Sequence, residues 1–209
     1  MKKNLHKNTQ HNQLKSNNFK GEVRIIAGLW RGRKLPVLNA NGLRPTGDRV
    51  KETLFNWLAH DIVDACCLDC FAGSGSLGFE ALSRQAKQVI FLEKEKSVAT
   101  QLKKNLHKLQ CQNAQVLHQD SLKFLEQRQN TPLFDVIFLD PPFHFNLVEQ
   151  AIESLIKNNW LKDQSLIYIE TEKNKPLFTP QNWQLLKEKI TGQVCYRLYQ
   201  HHSKTELNA

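Results

Sequence analysis

The fold is decided by one stretch, Leu68-Asp69-Cys70-Phe71-Ala72-Gly73-Ser74-Gly75-Ser76-Leu77-Gly78, in which a short apolar run leads into a glycine-rich turn. The glycines at positions 73, 75 and 78 have the spacing GxGxxG, which is typical of the first strand-to-helix turn in nucleotide-binding α/β proteins. Ligands of open α/β sheets bind at the carboxyl ends of the strands, so this turn is expected to border a ligand site. The spacing alone fits a dinucleotide-binding dehydrogenase equally well.

Downstream of this turn, apolar runs alternate with segments of helical periodicity. Strands are predicted at 66–70, 89–93, 114–118, 134–139 and 166–170, and helices are predicted to begin near Gly78, Lys96, Ser121 and Asn146. The strand runs are nearly all apolar, which is typical of a parallel sheet with helices on both faces. Residues 183–190 and 194–200 predict an antiparallel hairpin at the sheet edge, although the first arm is also compatible with a helix.

The composition divides the chain into three parts. Residues 1–20 are mostly Asn, Gln, Lys and His, and they predict a disordered basic tail. Residues 21–58 predict a β-hairpin with a glycine-flanked turn, followed by a helix that Thr46 or Asp48 can cap. Residues 59–209 contain the alternating strands and helices, and the main α/β domain is assigned to them.

Positive charge is concentrated near the start of the chain. Residues 1–51 hold twelve Lys and Arg against two acids, a net charge of +10, while the remaining residues carry −1. A segregated positive field attracts polyanions through phosphate contacts and counterion release, so nucleic acid is the expected partner. The residues assigned to RNA binding are Arg24, Trp30, Arg31, Arg33, Lys34 and Arg44.

Simple features argue against several other classes of protein. The five cysteines are odd in number and two of them are adjacent, so no disulfide framework is expected. The pair Cys67 and Cys70 has no second such pair, and no metal site is predicted. No apolar run approaches membrane-spanning length, and the first twenty residues lack the apolar core of a signal peptide. We expect a monomeric, cytoplasmic protein.

The acids around the glycine turn indicate the chemistry of the ligand. Asp69 directly precedes the turn, where a carboxylate would repel a pyrophosphate but suits the ammonium and sulfonium groups of S-adenosylmethionine. Glu93, at the end of the next strand, is placed to accept ribose hydroxyls, although it also belongs to a charged surface run. Asp120 and Ser121 can meet the adenine or simply cap the next helix. The predicted cofactor site is Asp69, Phe71, Ala72, Gly73, Ser74, Gly75, Gly78, Glu93, Lys94, Asp120 and Ser121.

A second motif, Asp140-Pro141-Pro142-Phe143, closes an apolar strand. A carboxylate, a rigid Pro-Pro with a fixed carbonyl and an aromatic ring are what a planar, amino-bearing base needs for hydrogen bonding and stacking. Asp140 and the carbonyl of Pro141 are expected to accept the two N–H groups of the amine, while Phe143 stacks on the base. We interpret these four residues as the catalytic motif of a methyl transfer to a base nitrogen.

Four segments together resemble the RsmD family of class I S-adenosylmethionine-dependent methyltransferases: VRIIAGLWRGRKL, LRPTGDRVKETLFNWL, LDCFAGSGSLGFEALSR and FDVIFLDPPF. The resemblance covers about residues 21–200. It implies a Rossmann-like, seven-stranded, mostly parallel sheet with an antiparallel last strand, and a cofactor carboxylate held near Thr46 or Arg49. It also implies methylation of guanine N2 in the 16S ribosomal RNA of the small ribosomal subunit. The polar N-terminal extension departs from the family pattern.

Other functions stay open at the level of sequence. An adenine-N6 methyltransferase uses a similar motif of acceptor, Pro-Pro and aromatic residue, and Asp140 does not distinguish the two bases. A non-catalytic RNA-binding assembly factor would keep the fold and the charge without needing S-adenosylmethionine. A dehydrogenase is the third alternative, and it would require binding of a reduced nicotinamide.

Overall fold

The computed structural model describes residues 19–38, 46–127, 133–143 and 146–203. Arg44 and all but the last two residues of the expected N-terminal tail lie outside the described residues. The described chain forms a two-stranded hairpin and a seven-stranded sheet flanked by helices. None of the helices in these ranges is both long enough and apolar enough to cross a membrane.

The large sheet is mostly parallel. Its strands are β3 (Cys66–Asp69), β4 (Gln88–Glu93), β5 (Ala114–His118), β6 (Phe134–Leu139), β7 (Leu161–Glu172), β8 (Trp183–Thr191) and β9 (Val194–His201). They are arranged in the order β5-β4-β3-β6-β7-β9-β8. The strands from β3 to β7 run parallel to their neighbours, and β9 is antiparallel to both β7 and β8. The expected fold, a seven-stranded sheet whose last strand is reversed, is confirmed.

The strand order reverses at β3, which makes this the topological switch point of the sheet. The chain continues from β3 to β4 and β5 on one side, and then crosses to β6 and β7 on the other. The register between β3 and β6 pairs Leu68 with Ile137 and Asp69 with Phe138. The carboxyl end of β3 therefore lies beside the carboxyl end of β6, which leads into Asp140.

Helices cover both faces of this sheet. They are α1 (Asp48–Trp57), α2 (Ser76–Ser83), α3 (Lys96–Lys108), α4 (Ser121–Glu126) and α5 (Leu147–Lys157). Successive residues of β6 alternate between two buried clusters: Phe138 packs with Phe55 and Phe79 on one face, and Ile137 packs with Leu125 and Ile152 on the other. Because both faces are buried, the strand reads as a continuous apolar run.

The bounds of several elements differ in detail from the sequence predictions. α2 begins at Ser76, two residues before Gly78, near which its start was predicted. β7 begins at Leu161 and not at 166, because an irregularity in the ladder lets Leu161 pair with Phe134 before the regular pairing resumes. The antiparallel hairpin predicted at residues 183–190 and 194–200 is confirmed, and its first arm is a strand and not a helix, since it pairs along almost its whole length with β9.

The N-terminal hairpin is the second unit of structure. It consists of β1 (Phe19–Arg24) and β2 (Lys34–Leu38), which pair antiparallel, with a 3-10 turn at Gly28–Trp30 between them. β1 begins two residues before the expected start of the hairpin at residue 21. The side chains of Val23 and Leu35 are buried, and the hairpin thereby contributes to covering one face of the domain.

Two polar side chains of α2 fasten the hairpin to the domain. The carboxylate of Glu80, which is almost fully buried, accepts the N–H groups of Ile26 at 2.9 Å and Ala27 at 3.1 Å. The hydroxyl of Ser83 donates to the carbonyl of Ala27 at 2.6 Å and accepts the N–H of Trp30 at 2.9 Å. Charge-assisted bonds to backbone N–H groups are among the stronger hydrogen bonds in proteins, so the turn has a fixed position on α2.

Replacing Gly28 with alanine should weaken this docking far more than the same change at Gly32. Both glycines have a positive φ, +77° and +81°, so both variants incur about 1 kcal/mol of left-handed strain. A Cβ at Gly28 would also lie 1.9 Å from the carbonyl oxygen of Ser83, whereas a Cβ at Gly32 would meet nothing within 4 Å. Denaturant unfolding should show Gly28→Ala to be less stable than Gly32→Ala by at least about 2 kcal/mol. Equal stability of the two variants would contradict the docking described here.

Candidate active site

One cavity of about 960 Å³ lies at the carboxyl edge of the sheet, above the switch point between β3 and β6. Its volume is at the upper end of the usual range for ligand pockets, and it leaves room for a cofactor together with part of a second substrate. Most of the residues predicted from the sequence line it: Thr46, Arg49, Asp69, Phe71, Ala72, Gly73, Ser74, Glu93, Lys94, Asp120, Ser121, Asp140, Pro141, Pro142 and Phe143. The predicted cofactor site and the predicted catalytic motif therefore face the same space.

Two glycines of the turn have a packing role. Gly75 and Gly78 do not line the cavity. A Cβ at Gly75 would lie 2.4 Å from the ring of Phe79, and a Cβ at Gly78 would lie 2.1 Å from the ring of Phe91. Gly75 also has a φ of +75°, which allows the sharp turn into α2. These glycines bring α2 close to the strands and thereby set the floor of the cavity.

Among the acids that line the cavity, Asp69 is the least exposed to water. It is 3% exposed, and its Oδ2 atom accepts the N–H of Gly78 at 3.1 Å. Burial raises the pKa of its carboxyl group from 3.8 to about 7, the bond from Gly78 opposes this, and the negative charges of Asp140 and Glu93 add to it. A ligand that brings positive charge would therefore stabilise the ionised form of Asp69.

Glu93 holds the glycine turn in place. Its Oε2 atom accepts the N–H of Gly73 at 2.9 Å, and its Oε1 atom accepts the N–H of Glu95 at 2.7 Å. Burial raises the pKa of this carboxyl group above its ordinary value. Each carboxylate oxygen has a second lone pair, so these bonds leave Glu93 able to accept hydroxyl groups of a ligand.

Asp120 and Ser121 serve the start of α4 while also facing the cavity. Asp120 caps the helix, because its Oδ1 atom accepts the N–H of Lys123 at 3.2 Å. The hydroxyl of Ser121 donates to the carbonyl of Cys70 and so ties α4 to the end of β3. Both residues line the cavity, and the capping role is therefore compatible with a role in binding.

Thr46 orients the predicted catalytic acid. Its hydroxyl donates to Oδ2 of Asp140 at 3.3 Å. The prediction that Thr46 or Asp48 caps α1 was wrong: Gly47 occupies the cap position without a side-chain bond, and Asp48 pairs at 3.0 Å with Lys51. Burial raises the pKa of the Asp140 carboxyl group to about 6, and the bond from Thr46 opposes this increase.

The other three residues of the predicted catalytic motif differ in exposure at the cavity wall. Pro141 is buried, Phe143 is half-buried and Pro142 is exposed. No cis peptide bond occurs in the described part of the chain, so both proline peptides are trans. A trans Pro-Pro has restricted backbone torsions, and it therefore fixes the carbonyl groups that follow Asp140.

The sequence predictions missed two parts of the cavity wall. Glu170, near the end of β7, lines the cavity and is 6% exposed. One feature of the sequence could have indicated Glu170. It directly follows the apolar run Leu166–Ile169, just as Asp140 directly follows the apolar strand β6. The other missed part is the turn of residues 191–194 between β8 and β9, which also lines the cavity. Only the antiparallel pairing of β9 with β7 brings that turn here.

The structure does not bring the predicted RNA-binding residues of the hairpin to the cavity. None of Arg24, Trp30, Arg31, Arg33 and Lys34 lines it. The hairpin turn docks at Ser83, the last residue of α2, whereas the cavity lies at Ser76, the first. At 1.5 Å per residue, the length of α2 separates the two by about 10 Å.

The five predicted RNA-binding residues of the hairpin also differ from one another in exposure and in contacts. Trp30 is half-buried and packs against the core, so its ring is partly withdrawn from the surface. Lys34 forms an ion pair with Glu22 at 3.0 Å. Arg24, Arg31 and Arg33 are exposed. The exposed arginines near the turn are therefore better placed to meet a polyanion than Trp30 or Lys34.

Comparison with known proteins identifies the family. The family model described as "Conserved hypothetical protein 95" matches residues 23–200. The ribosomal RNA small subunit methyltransferase D of Haemophilus influenzae is 71% identical over 191 residues, which cover 90% of this chain and 99% of the relative. The protein of the same name from Escherichia coli K12 is 54% identical over 190 residues, which cover 90% and 95%. The chain belongs to the RsmD family.

Solved structures agree with this result. A crystal structure from Haemophilus influenzae, described provisionally as a methylase, has 67% sequence identity and a TM-score of 0.78, and the match covers 88% of this chain and 100% of that one. An Escherichia coli structure, described provisionally as a methyltransferase, has 51% identity and a TM-score of 0.81 over 87% and 99% of the two chains. This RsmD-family chain is therefore a methyltransferase whose methyl donor is S-adenosylmethionine.

The charges of the cavity fit this cofactor. Asp69, Glu93, Asp140 and Glu170 all line it, and within the described ranges none of them forms an ion pair. The Oγ atom of Ser76, at the start of α2, is buried and lacks a hydrogen-bond partner among the described residues. S-adenosylmethionine carries an ammonium and a sulfonium that compensate such acids, and polar groups that can reach Ser76. The same ranges contain no cluster of acids, histidines and cysteines suited to a metal ion.

Asp69→Asn should stabilise the free enzyme at neutral pH and weaken cofactor binding. The pKa of Asp69 is raised on folding, so the wild-type free energy of unfolding contains a contribution that falls as pH rises from about 4 to about 7. Asparagine keeps an acceptor for the N–H of Gly78 without the buried charge. At pH 8 the variant should be more stable by about 2 to 4 kcal/mol, and calorimetry should show affinity for S-adenosylmethionine reduced at least about tenfold.

The control is Asp61→Asn, which makes the same chemical change at an exposed position after α1. It should leave both the pH dependence of unfolding and the cofactor affinity at their wild-type values. Unchanged affinity for S-adenosylmethionine in Asp69→Asn would remove Asp69 from the proposed binding site, and a wild-type pH dependence of unfolding would contradict its raised pKa.

Proposed function

We propose that this enzyme transfers a methyl group to the exocyclic N2 amine of one guanine in small-subunit ribosomal RNA, within an assembled or partly assembled 30S particle. The observation that carries the proposal is the position of Asp140 and Pro141 on the wall of the cavity that also holds Asp69 and Glu93. The names of the relatives, which specify ribosomal RNA of the small subunit, support the substrate.

S-adenosylmethionine supplies an electrophilic methyl carbon on a sulfonium. Among the residues proposed to hold it, Glu93 would accept ribose hydroxyls, Asp69 would face the positive charges, and Asp120 would meet the adenine. Thr46 and Arg49, both on the cavity wall, are proposed to lie near its carboxylate. The hydroxyl of Thr46 donates to Asp140, so Thr46 also links the cofactor half of the site to the acceptor half.

The proposed role of Asp140 is to activate the amine that accepts the methyl group. The lone pair of guanine N2 is delocalised into the ring, which makes the amine a poor nucleophile. When Asp140 and the carbonyl of Pro141 accept its two N–H groups, the nitrogen is drawn toward pyramidal geometry and its lone pair is aimed at the methyl donor. As positive charge develops on the nitrogen, the carboxylate stabilises it and can then accept a proton. Phe143 would stack on the extruded base.

Labelled transfer tests both the substrate and the role of Asp140. The enzyme is incubated with radiolabelled S-adenosylmethionine and either free 16S ribosomal RNA or small subunits that lack the modification, and the nucleosides are then analysed. Wild type should produce N2-methylguanosine at one position, with the particle as the better substrate. Asp140→Ala should lower the rate at least about 100-fold, because it removes the acceptor that orients and neutralises the amine.

Calorimetry with S-adenosylmethionine completes this test. Asp140→Ala should bind the cofactor within about threefold of wild type, because the carboxylate acts on the acceptor base. Asp61→Ala, an exposed position, should leave both transfer and binding unchanged. Label in N6-methyladenosine would contradict the proposed base, and wild-type transfer by Asp140→Ala would contradict the proposed role.

The exposed arginines of the hairpin are proposed to grip RNA phosphates outside the cavity. Nucleic-acid surfaces commonly extend over several nucleotides, so a contact about 10 Å from the cavity is within reach of the same RNA. Arg31→Gln with Arg33→Gln should weaken RNA binding and reduce the slope of log affinity against log salt by about 1 to 2.

The matched control removes two positive charges from the opposite face of the sheet. Lys123→Gln with Lys157→Gln changes exposed residues of α4 and α5, and it should leave the RNA affinity close to wild type. An unchanged affinity and salt slope in the arginine variant would exclude the hairpin from RNA binding. An equal loss in both variants would show only a general effect of net charge.

A further inference from the structure

Glu170 is a buried acid of the cavity that the proposed mechanism does not use. It is 6% exposed and is the fourth residue of the sequence Ile167-Tyr168-Ile169-Glu170 within β7. A carboxyl group is rarely buried to this extent unless it has a partner or a function. Its neighbours indicate which reaction component it acts on.

The sheet register places Glu170 beside Asp140. β6 and β7 are parallel, and their ladder pairs Phe138 with Tyr168 and Leu139 with Ile169. The next step along both strands is Asp140 and Glu170. Neighbouring strands are about 4.8 Å apart, and residues in register point to the same face of the sheet. Both residues line the cavity, so their carboxyl groups form one acidic section of its wall.

Each carboxyl group has its own hydroxyl donor. The hydroxyl of Tyr168, two residues earlier on the same face, donates to Oε1 of Glu170 at 2.7 Å. The hydroxyl of Thr46 donates to Asp140. Within the described residues, no cation forms an ion pair with either acid. Two adjacent carboxylates without a cation repel each other, so one of them tends to keep a proton.

Of the two carboxyl groups, Glu170 has the larger increase in pKa. Burial raises the pKa of Glu170 to about 8, with a further increase from the charge of Asp140 and a decrease from the bond of Tyr168. The pKa of Asp140 is raised less, to about 6. The other titratable groups around the pair are Asp69 from β3 and Tyr196 from β9, whose backbone is the ladder partner of Glu170. From the side of α1, the cavity is lined by one charged side chain, Arg49.

We propose that Glu170 is a positioning residue that acts through Asp140: it holds the single proton of this carboxyl pair, so that Asp140 is ionised and available to the substrate amine. The inference rests on the proposed function of Asp140. In the reaction, the nitrogen forms its bond to the methyl carbon while the carbon–sulfur bond breaks with its electron pair left on sulfur. The N–H proton passes to Asp140, and the doubly protonated pair then returns one proton to water.

The first test observes the pair directly in the cofactor-free protein, by carboxyl-carbon NMR titration. Wild type should show two coupled titrations at the positions of Asp140 and Glu170, the second at higher pH. Glu170→Gln should lose the upper one and keep the lower one. Tyr168→Phe should move the upper titration to higher pH, because the bond from Tyr168 lowers the pKa of Glu170. An ordinary glutamate titration at position 170 would overturn the proposal.

The second test is the pH profile of methyl transfer. Wild-type kcat/KM should rise as Asp140 ionises and change a second time at higher pH as Glu170 ionises beside it. Glu170→Gln, which mimics the protonated acid, should keep the rise, lose the second change and retain activity within about threefold at neutral pH. Glu170→Ala should lose at least about tenfold, because it leaves the wall beside Asp140 unfilled. Glu153→Gln, an exposed position on α5, is the matched control.

These outcomes separate the inference from the proposed function. A profile of wild-type shape in Glu170→Gln, whatever its height, would reduce Glu170 to a packing residue while the role of Asp140 stands. Wild-type activity in Asp140→Ala would instead remove the basis of both. Loss of the upper limb in Glu170→Gln, together with its loss from the NMR titration, would establish the one-proton pair.

Discussion

The parallel pairing of β3 with β6 is the constraint on which the site depends. Asp69 ends one of these strands and Asp140 follows the other, so their register decides whether the glycine turn and the acceptor motif face one cavity. The pairing is itself fixed by burial on both faces. A shift of one residue along β6 would turn Ile137 and Phe138 each toward the opposite face of the sheet. Each side chain would then meet a cluster that it does not fit. The apolar core therefore sets the alignment of the functional acids.

This arrangement concentrates negative charge that the chain only partly offsets. Asp69 receives one backbone N–H bond, Asp140 one hydroxyl and Glu170 another. These neutral donors leave the carboxyl groups with raised pKa values, which means that the free protein loses stability as they ionise. A positively charged methyl donor offsets the repulsion among these carboxylates when it binds. Cofactor affinity and the lower stability of the free protein therefore have the same electrostatic cause.

The sequence predicted the parts of the site that local pattern determines. Asp69, Glu93 and Asp140 each close an apolar strand run, and a parallel sheet places all such ends at one edge. The role of Thr46 could not be found this way. Its local sequence is typical of a helix cap, and the bond that replaces capping joins it to Asp140, 94 positions away. Glu170 was hidden because the polar sequence after it resembles an exposed strand end. Its burial depends on the return of β9 along β7, a long-range pairing that periodicity does not encode.

The hairpin shows the same division between local and long-range information. Its strands followed from alternation and glycine spacing, but its position on α2 depends on Glu80 and Ser83, which no pattern linked to it. Docking at the far end of α2 keeps the exposed arginines at a fixed separation from the cavity, since a helix of eight residues is stiff over that length. A flexible basic tail could gather any polyanion. Under the proposed function, a basic turn at a fixed distance from the cavity instead favours an RNA whose phosphates and target base are themselves held in a defined geometry, as they are in folded ribosomal RNA.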